Sequence, residues 1–148
     1  MLKGIDPLLN AEVLGVLRAM GHGDMLILSD ANFPSEAVAA ETVHGAPLRI
    51  DRDVPEVARA VVSVLPLDTF VDDFAARMEV VGDPGAVPEV QAQVQAIIAE
   101  TGEARDMVPV ERFAFYDLAK DAYAVIQTSE RRFYGCIMLR KGVIGPDE

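Results

Sequence analysis

The feature that most constrains the fold is an abrupt change of pattern at Gly21. Apolar residues recur at helical spacing before it, as in Val13, Leu14 and Leu17, and the run Met25-Leu26-Ile27-Leu28 after it is apolar on both faces. The first pattern predicts an amphipathic helix, and the second predicts a strand in the interior of a sheet, as in parallel sheets. A helix followed at once by a buried strand indicates the α/β class.

The turn between these two elements is Gly21-His22-Gly23-Asp24. A histidine just beyond the negative end of a helix is favoured in its protonated form, which makes His22 a candidate proton donor near neutral pH. Asp30 follows the strand, and ligands of open α/β sheets bind outside the carboxyl ends of strands. A Gly-His-Gly turn alone is more often a helix end with a solvated histidine. The carboxylate of Asp30 and further polar groups near the C-terminus favour a functional site instead.

Start and stop signals predict three more helices and four more strands. Asn10 is a good N-cap for the first helix, with Asp6-Pro7 as an alternative start. The further helices are expected at 53–66, 90–101 and 112–121, and the further strands at 47–50, 75–81, 123–128 and 136–139. Alternation in 75–81 predicts a strand with one wetter face, whereas 35–44 is too weakly patterned to assign. We therefore expect one domain over residues 1–148, with a central β-sheet flanked by helices.

Composition and charge exclude several kinds of partner. The net charge of −11 leaves no basic stripe to neutralise phosphates, which argues against nucleic acid and anionic membranes. No apolar run approaches the ~20 residues of a membrane-spanning helix. The single cysteine, Cys136, excludes an intrachain disulfide and suits a reducing cytoplasm, and the two histidines are too scattered to suggest a metal site. The 51% of hydrophobic residues leaves apolar surface that a subunit interface could cover.

The candidate groups occur in blocks whose order resembles that of one known family. The blocks are Met1-Leu2-Lys3 with Ile5 and Pro7-Leu8, Met20-Gly21-His22-Gly23-Asp24, Ser29-Asp30-Ala31 with Phe33-Pro34, Arg112-Phe113-Ala114-Phe115-Tyr116, and Tyr134-Gly135 before Leu139-Arg140-Lys141-Gly142-Val143. They resemble the family of L-fucose mutarotases and D-ribose pyranases, and are closer to the fucose branch. The resemblance implies a compact α/β subunit assembled into a ring, a decamer, with sugar sites near the subunit contacts.

The resemblance also implies a role for each candidate residue. His22 is the expected proton donor. Asp30, Arg112 and the triplet Tyr134-Gly135-Cys136 are expected to bind the sugar, and Tyr116 is expected to line the same pocket. The family usually carries asparagine where this chain has Cys136. Whether the cysteine side chain or only its backbone meets the sugar therefore stays open, as does the identity of the sugar.

The reaction implied is the exchange of anomers of L-fucose or a related monosaccharide, which needs no cofactor and no metal. A general acid protonates the ring oxygen while a base takes the proton of the anomeric hydroxyl, and the opened ring closes from its other face. We expect His22 to be the acid, Asp30 to support it, and Tyr116 or Tyr134 to act at the other oxygen. Two alternatives remain: a pyranase that interconverts pyranose and furanose forms, and a non-catalytic sugar-binding accessory protein.

Overall fold

The computed structural model describes residues 1–148 and contains five helices and six strands. The helices are α1 (Ala11–Ala19), α2 (Ser35–Ala39), α3 (Val54–Val62), α4 (Glu89–Glu100) and α5 (Arg112–Lys120). The strands are β1 (Met25–Ser29), β2 (Leu48–Ile50), β3 (Ala75–Met78), β4 (Val108–Val110), β5 (Ala124–Thr128) and β6 (Ile137–Arg140). No helix combines the length and the apolar content needed to cross a membrane.

All six strands form one mixed sheet in the order β2-β5-β1-β6-β3-β4. β2, β5 and β1 are parallel to one another, and so are β3 and β4. β6 is antiparallel to both of its neighbours and joins the two parallel blocks. This arrangement confirms the predicted α/β class with a central sheet flanked by helices.

The two faces of the sheet are covered by different helices. Leu26 and Leu28 of β1 pack into the larger hydrophobic cluster, with α1, α3 and α4. Ile27 points to the opposite face and packs into a second cluster, with α2 and α5. Successive side chains of a strand alternate between faces, so a run of apolar residues serves both cores at once. The unbroken run at Met25 to Leu28 is thereby explained.

The residues predicted to cap the helices form the expected hydrogen bonds. The Asn10 side chain accepts a hydrogen bond from the backbone N–H of Val13 at 3.0 Å, and Asp53 accepts one from Glu56 at 2.9 Å. Both are N-caps that satisfy an otherwise unpaired N–H group. In the turn after α1, the positive φ of 87° belongs to Gly23, the glycine that follows the histidine.

Two strands differ from the sequence expectation. The strand predicted at 75–81 with a wetter face ends at Met78 and is buried on both faces, so that prediction is wrong. β3 lies between β6 and β4, and the guanidinium of Arg77 is held inside by the carbonyl oxygen of Ala86 at 3.2 Å. β4 was not predicted because Pro109 interrupts its short run, and proline is tolerated there because β4 is an edge strand.

Candidate active site

The candidate site lies at the edge of the sheet where β1, β3 and β4 end. β1 and β6 are antiparallel, with Leu28 opposite Ile137, so the residues that follow β1 meet those that precede β6. Asp30 therefore lies beside Gly135 and Cys136, although Asp30 and Cys136 are 106 positions apart in the sequence. Ligands of α/β sheets bind at such an edge, as the sequence analysis expected.

A cavity of about 330 Å³ opens at this edge, within the size range of pockets for small molecules. All predicted site residues except His22 and Gly135 line it, together with an apolar wall. The lining residues are Asp30, Asn32, Phe33, Met78, Arg112, Tyr116, Phe133, Tyr134 and Cys136. Two concavities of about 520 Å³ each lie elsewhere on the surface, and none of the predicted residues lines them.

The Asp30 carboxylate is fixed by its own turn. One of its oxygens accepts hydrogen bonds from the backbone N–H groups of Asn32 and Phe33, both at 3.0 Å. Burial raises the pKa of Asp30 above its usual value, and the hydrogen bonds only partly offset that effect. The second oxygen, Oδ2, lies on the side of Cys136, and the residue lines the pocket, where its carboxylate can accept a hydrogen bond from a hydroxyl group.

The side chain of Cys136 reaches into the same site. Its Sγ lies 3.5 Å from Oδ2 of Asp30, and the residue is only 2% exposed. Burial and the neighbouring carboxylate raise the pKa of the Cys136 thiol well above its usual value, so the thiol is neutral. Cys136 therefore presents a weak donor next to Asp30, where asparagine would present a strong one.

The opposite wall is formed by the start of α5. Arg112 and Tyr116 are one helical turn apart, and Nε of Arg112 donates a hydrogen bond to the Tyr116 hydroxyl at 3.2 Å. The ring of Tyr116 packs against Phe33 with centroids 5.4 Å apart. This contact fixes the ring, and the guanidinium of Arg112 lies directly beside the phenol oxygen.

Tyr134 completes the pocket from the loop before β6. Its hydroxyl oxygen accepts a hydrogen bond from the backbone N–H of Val81 at 3.2 Å. The hydroxyl proton remains available for a hydrogen bond to a ligand. Gly135 follows, and a Cβ there would lie 2.8 Å from Cγ of Glu130 and 3.3 Å from Cβ of Asp30. Only glycine therefore allows this loop to pack so closely against Asp30.

His22 lies at the opposite edge of the sheet. It precedes β1 whereas Asp30 follows it, and the span from Met25 to Ser29 alone is roughly 13 Å in an extended strand. The turn that carries His22 is held by Gly23, whose N–H donates to the carbonyl oxygen of Lys141 after β6 at 2.8 Å. Within one chain, His22 therefore does not reach the pocket around Asp30.

The partner of His22 is Asp68, a residue that was not among those predicted from the sequence. Nε2 of His22 lies 3.0 Å from Oδ2 of Asp68, whose side chain is 3% exposed while that of the histidine is 46% exposed. Burial alone would raise the pKa of Asp68, but hydrogen bonds from Phe70 and His22 and the positive charge of Arg140 outweigh it and lower the pKa. The available signal was an aspartate directly after the apolar Leu65-Pro66-Leu67, as Asp30 follows β1.

No group of His, Cys, Asp and Glu side chains in the chain has the geometry to hold a metal ion. Five predicted groups thus surround one pocket, and a buried carboxylate orients His22 at the far edge of the same sheet. This is an α/β protein with a small polar pocket at the carboxyl edge of its sheet and a separate histidine–aspartate pair.

Comparison with known proteins places this chain and its fold in a family. The sequence model of the RbsD / FucU transport protein family matches residues 3–144, and the chain belongs to that family. It is 42% identical to the fucose mutarotase of Danio rerio over 100% of this chain and 97% of that one. The resemblance stated from the sequence blocks is thereby confirmed.

Two solved structures show the same fold. The crystal structure of protein Atu2016 superposes with a TM-score of 0.95 at 54% identity, covering 98% of this chain and 97% of that one. The fucose mutarotase of Streptococcus pneumoniae, solved in complex with L-fucose, superposes with a TM-score of 0.87 at 32% identity, covering 97% of this chain and 100% of that one.

Proposed function

We propose that this protein interconverts the α and β anomers of L-fucose or a closely related monosaccharide. The observation that carries the proposal is the convergence of a buried carboxylate, a guanidinium and two phenols on one pocket. The similarity of the whole chain to a protein named fucose mutarotase, and to one solved with L-fucose, supports it. The apolar wall of Phe33, Met78 and Phe133 suits a sugar that carries a methyl group.

The chemistry is acid–base opening of the sugar ring. A base takes the proton of the anomeric hydroxyl, whose electrons form the carbonyl bond as the bond from the anomeric carbon to the ring oxygen breaks. The acid gives a proton to the ring oxygen, and the aldehyde closes again after rotation about one bond. Tyr116 is the proton relay that the contacts favour, because Arg112 lies beside its oxygen. The phenol oxygen accepts the proton of the anomeric hydroxyl while the phenol passes its own proton to solvent water, which is the final base. Asp30 and Tyr134 hold the remaining hydroxyl groups.

We assign the acid to His22 of a neighbouring copy. His22 lies across the sheet from the pocket of its own chain, but its ring is half exposed and held by Asp68. A histidine presented at a surface can complete the pocket of another molecule. Such a contact joins different surfaces of two copies, and repeated head-to-tail contacts of this kind close into rings.

Exposed aromatic side chains lie beside both surfaces and support this assembly. Phe113 and Phe133 flank the pocket and are 66% and 74% exposed, while Phe70 packs edge-on against His22 and is 72% exposed. Burying them between copies would remove apolar area from water. We propose a closed ring, a decamer, in a reducing compartment such as the cytoplasm. Light scattering that gave a mass near 16.0 kDa at micromolar concentration would refute the ring.

The test of the activity is saturation-transfer NMR between anomers, run over a panel of deoxyhexoses and pentoses. We expect faster exchange of L-fucose or a close relative, unaffected by a chelator. Exchange between pyranose and furanose forms of a pentose alone would identify a pyranase. Binding without any faster exchange would identify a non-catalytic sugar-binding protein.

A further inference from the structure

The loop that carries Tyr134 is held in an unfavourable conformation. Tyr134 is the one residue other than glycine with a positive φ, 63°. The left-handed region is disfavoured by Cβ, and tyrosine lacks the short polar side chain that lets asparagine or aspartate occupy it. Such a conformation persists only where the surrounding structure fixes it.

The side chain of Gln91 is hydrogen-bonded to the backbone of Tyr134. Its Nε2 donates hydrogen bonds to the carbonyl oxygens of Tyr134 at 3.0 Å and of Met78 at 2.7 Å. Gln91 is fully buried in the first turns of α4, on a helix face that is otherwise apolar. It does not line the pocket, yet both residues that it holds do.

The buried amide is itself held in place. Oε1 of Gln91 accepts a hydrogen bond from Nη1 of Arg77 at 3.3 Å, and Arg77 is anchored in turn by the carbonyl oxygen of Ala86. Both N–H groups and the oxygen of Gln91 are therefore used. A buried amide is costly unless it is bonded in this way, and apolar packing alone would be met more simply by leucine or methionine.

We propose that Gln91 is a positioning residue, which holds Tyr134 in its left-handed conformation and so places the Tyr134 hydroxyl at the sugar. This inference rests on the proposed function, because it assigns Tyr134 a contact with the sugar. Gln91 touches no substrate and acts through the tyrosine.

The test substitutes Gln91 and observes Tyr134 directly. Gln91→Met keeps the length but removes both donors, and Gln91→Glu keeps the acceptor for Arg77. The matched control is Gln95→Met, one turn further along α4, where the amide bonds the backbone of Arg105 and Met107 away from the pocket. The chain has three tyrosines, so labelling with 3-fluorotyrosine gives three ¹⁹F resonances, assigned by tyrosine-to-phenylalanine substitutions.

We expect both Gln91 variants to move or broaden the Tyr134 resonance and to leave that of Tyr123 in place, while Gln95→Met leaves Tyr134 unchanged. The exchange efficiency, kcat/KM, should fall about 10- to 100-fold in the Gln91 variants, the range for a misplaced group. In the Tyr134→Phe background, Gln91→Met should cause little further loss, because the two residues act as one unit.

Two results would overturn the inference. One is an unmoved Tyr134 resonance in both Gln91 variants, whatever happens to activity. The other is an equal loss of kcat/KM from Gln91→Met with and without the Tyr134 hydroxyl, which would mean a general structural role. If the wild type exchanged no anomers, the proposed function would fail, and the resonance would still decide whether Gln91 positions Tyr134.

Discussion

Nε2 of His22 lies 3.0 Å from Oδ2 of Asp68, at the edge of the sheet opposite Asp30. The carboxylate is buried and also accepts the backbone N–H of Phe70 at 3.0 Å, so its position is fixed independently of the histidine. It therefore orients the imidazole. Each chain carries a polar pocket at one edge of its sheet and an oriented histidine at the other.

Replacement of His22 by asparagine should abolish most of the activity. Asparagine is polar and of similar shape but holds no proton that titrates near neutral pH. We expect anomer exchange to fall by about 10²- to 10⁴-fold, the contribution of one acid–base group, while sugar binding is largely retained. NMR exchange and calorimetric binding measure the two separately. Exchange at the wild-type rate would remove His22 from the mechanism.

Replacement of Asp68 by asparagine should have a smaller effect of the same kind. The amide can still contact Nε2 but replaces a charge-bearing acceptor with a neutral and weaker one. We expect a loss of about 10- to 100-fold in exchange, from a misoriented acid. Asp72→Asn is the matched control, because that carboxylate is fully exposed and does not contact His22. The assignment fails if the two variants behave alike.

The Asp30 carboxylate should make the protein less stable at neutral pH. Its pKa is raised above 3.8 by burial, so the folded chain binds this proton more tightly than the unfolded chain. The free energy of unfolding therefore decreases as the pH rises from about 3.8 through the raised pKa. Asp30→Asn retains an oxygen for the N–H groups of Asn32 and Phe33 but does not titrate.

We expect Asp30→Asn to be at least as stable as the wild type at pH 7, and this advantage to shrink toward pH 4. Its exchange activity should nevertheless be lost. Urea unfolding at several pH values measures the difference. A variant that was less stable than the wild type by the same amount at every pH would show that burial of the charge has no such cost.

Replacement of Cys136 by asparagine should sharpen selectivity among sugars. The thiol lies 3.5 Å from Asp30 and is only a weak hydrogen-bonding group. A site that forms a hydrogen bond with one hydroxyl of the sugar discriminates strongly against sugars in which that hydroxyl is misplaced. We expect Cys136→Asn to increase the preference for L-fucose over its epimers by one net hydrogen bond, ~0.5–1.5 kcal/mol.

The comparison uses exchange rates for L-fucose and its epimers, with Cys136→Ala as the control for volume. Identical selectivity in the wild type and the asparagine variant would mean that only the backbone at Cys136 meets the sugar.

Local patterns predicted most of the elements, because caps and apolar periodicity are determined by neighbouring residues. The cap at Asn10 and the interior strand at Met25 to Ser29 are examples. The prediction for β3 was wrong because Arg77 is polar, and its burial depends on Ala86 and Gln91, which lie 9 and 14 positions further along the chain, outside the strand itself. No local pattern reports such partners.

The sequence identified most residues of the site but did not predict which of them lie together in space. The pocket groups come together because β6 runs antiparallel to β1, and that pairing is a tertiary property. His22 and Asp30 are only eight positions apart in the sequence. They lie far apart in space because β1 runs between them, and an extended strand gives the greatest distance per residue. Asp68 was missed because its role depends on a contact with a residue 46 positions away.

We propose above all that His22 of one copy completes the pocket of another. The most direct measurement is anomer exchange by mixed assemblies of two inactive variants, His22→Asn and Asp30→Asn, co-expressed with different tags and purified through both. One chain then contributes an intact pocket and the other an intact histidine. If the site is shared, roughly a quarter of the sites in randomly mixed rings carry both native groups, and a comparable share of the wild-type activity returns. If the mixture stays as inactive as either variant alone, no pocket receives its histidine from a neighbour, and the account is contradicted.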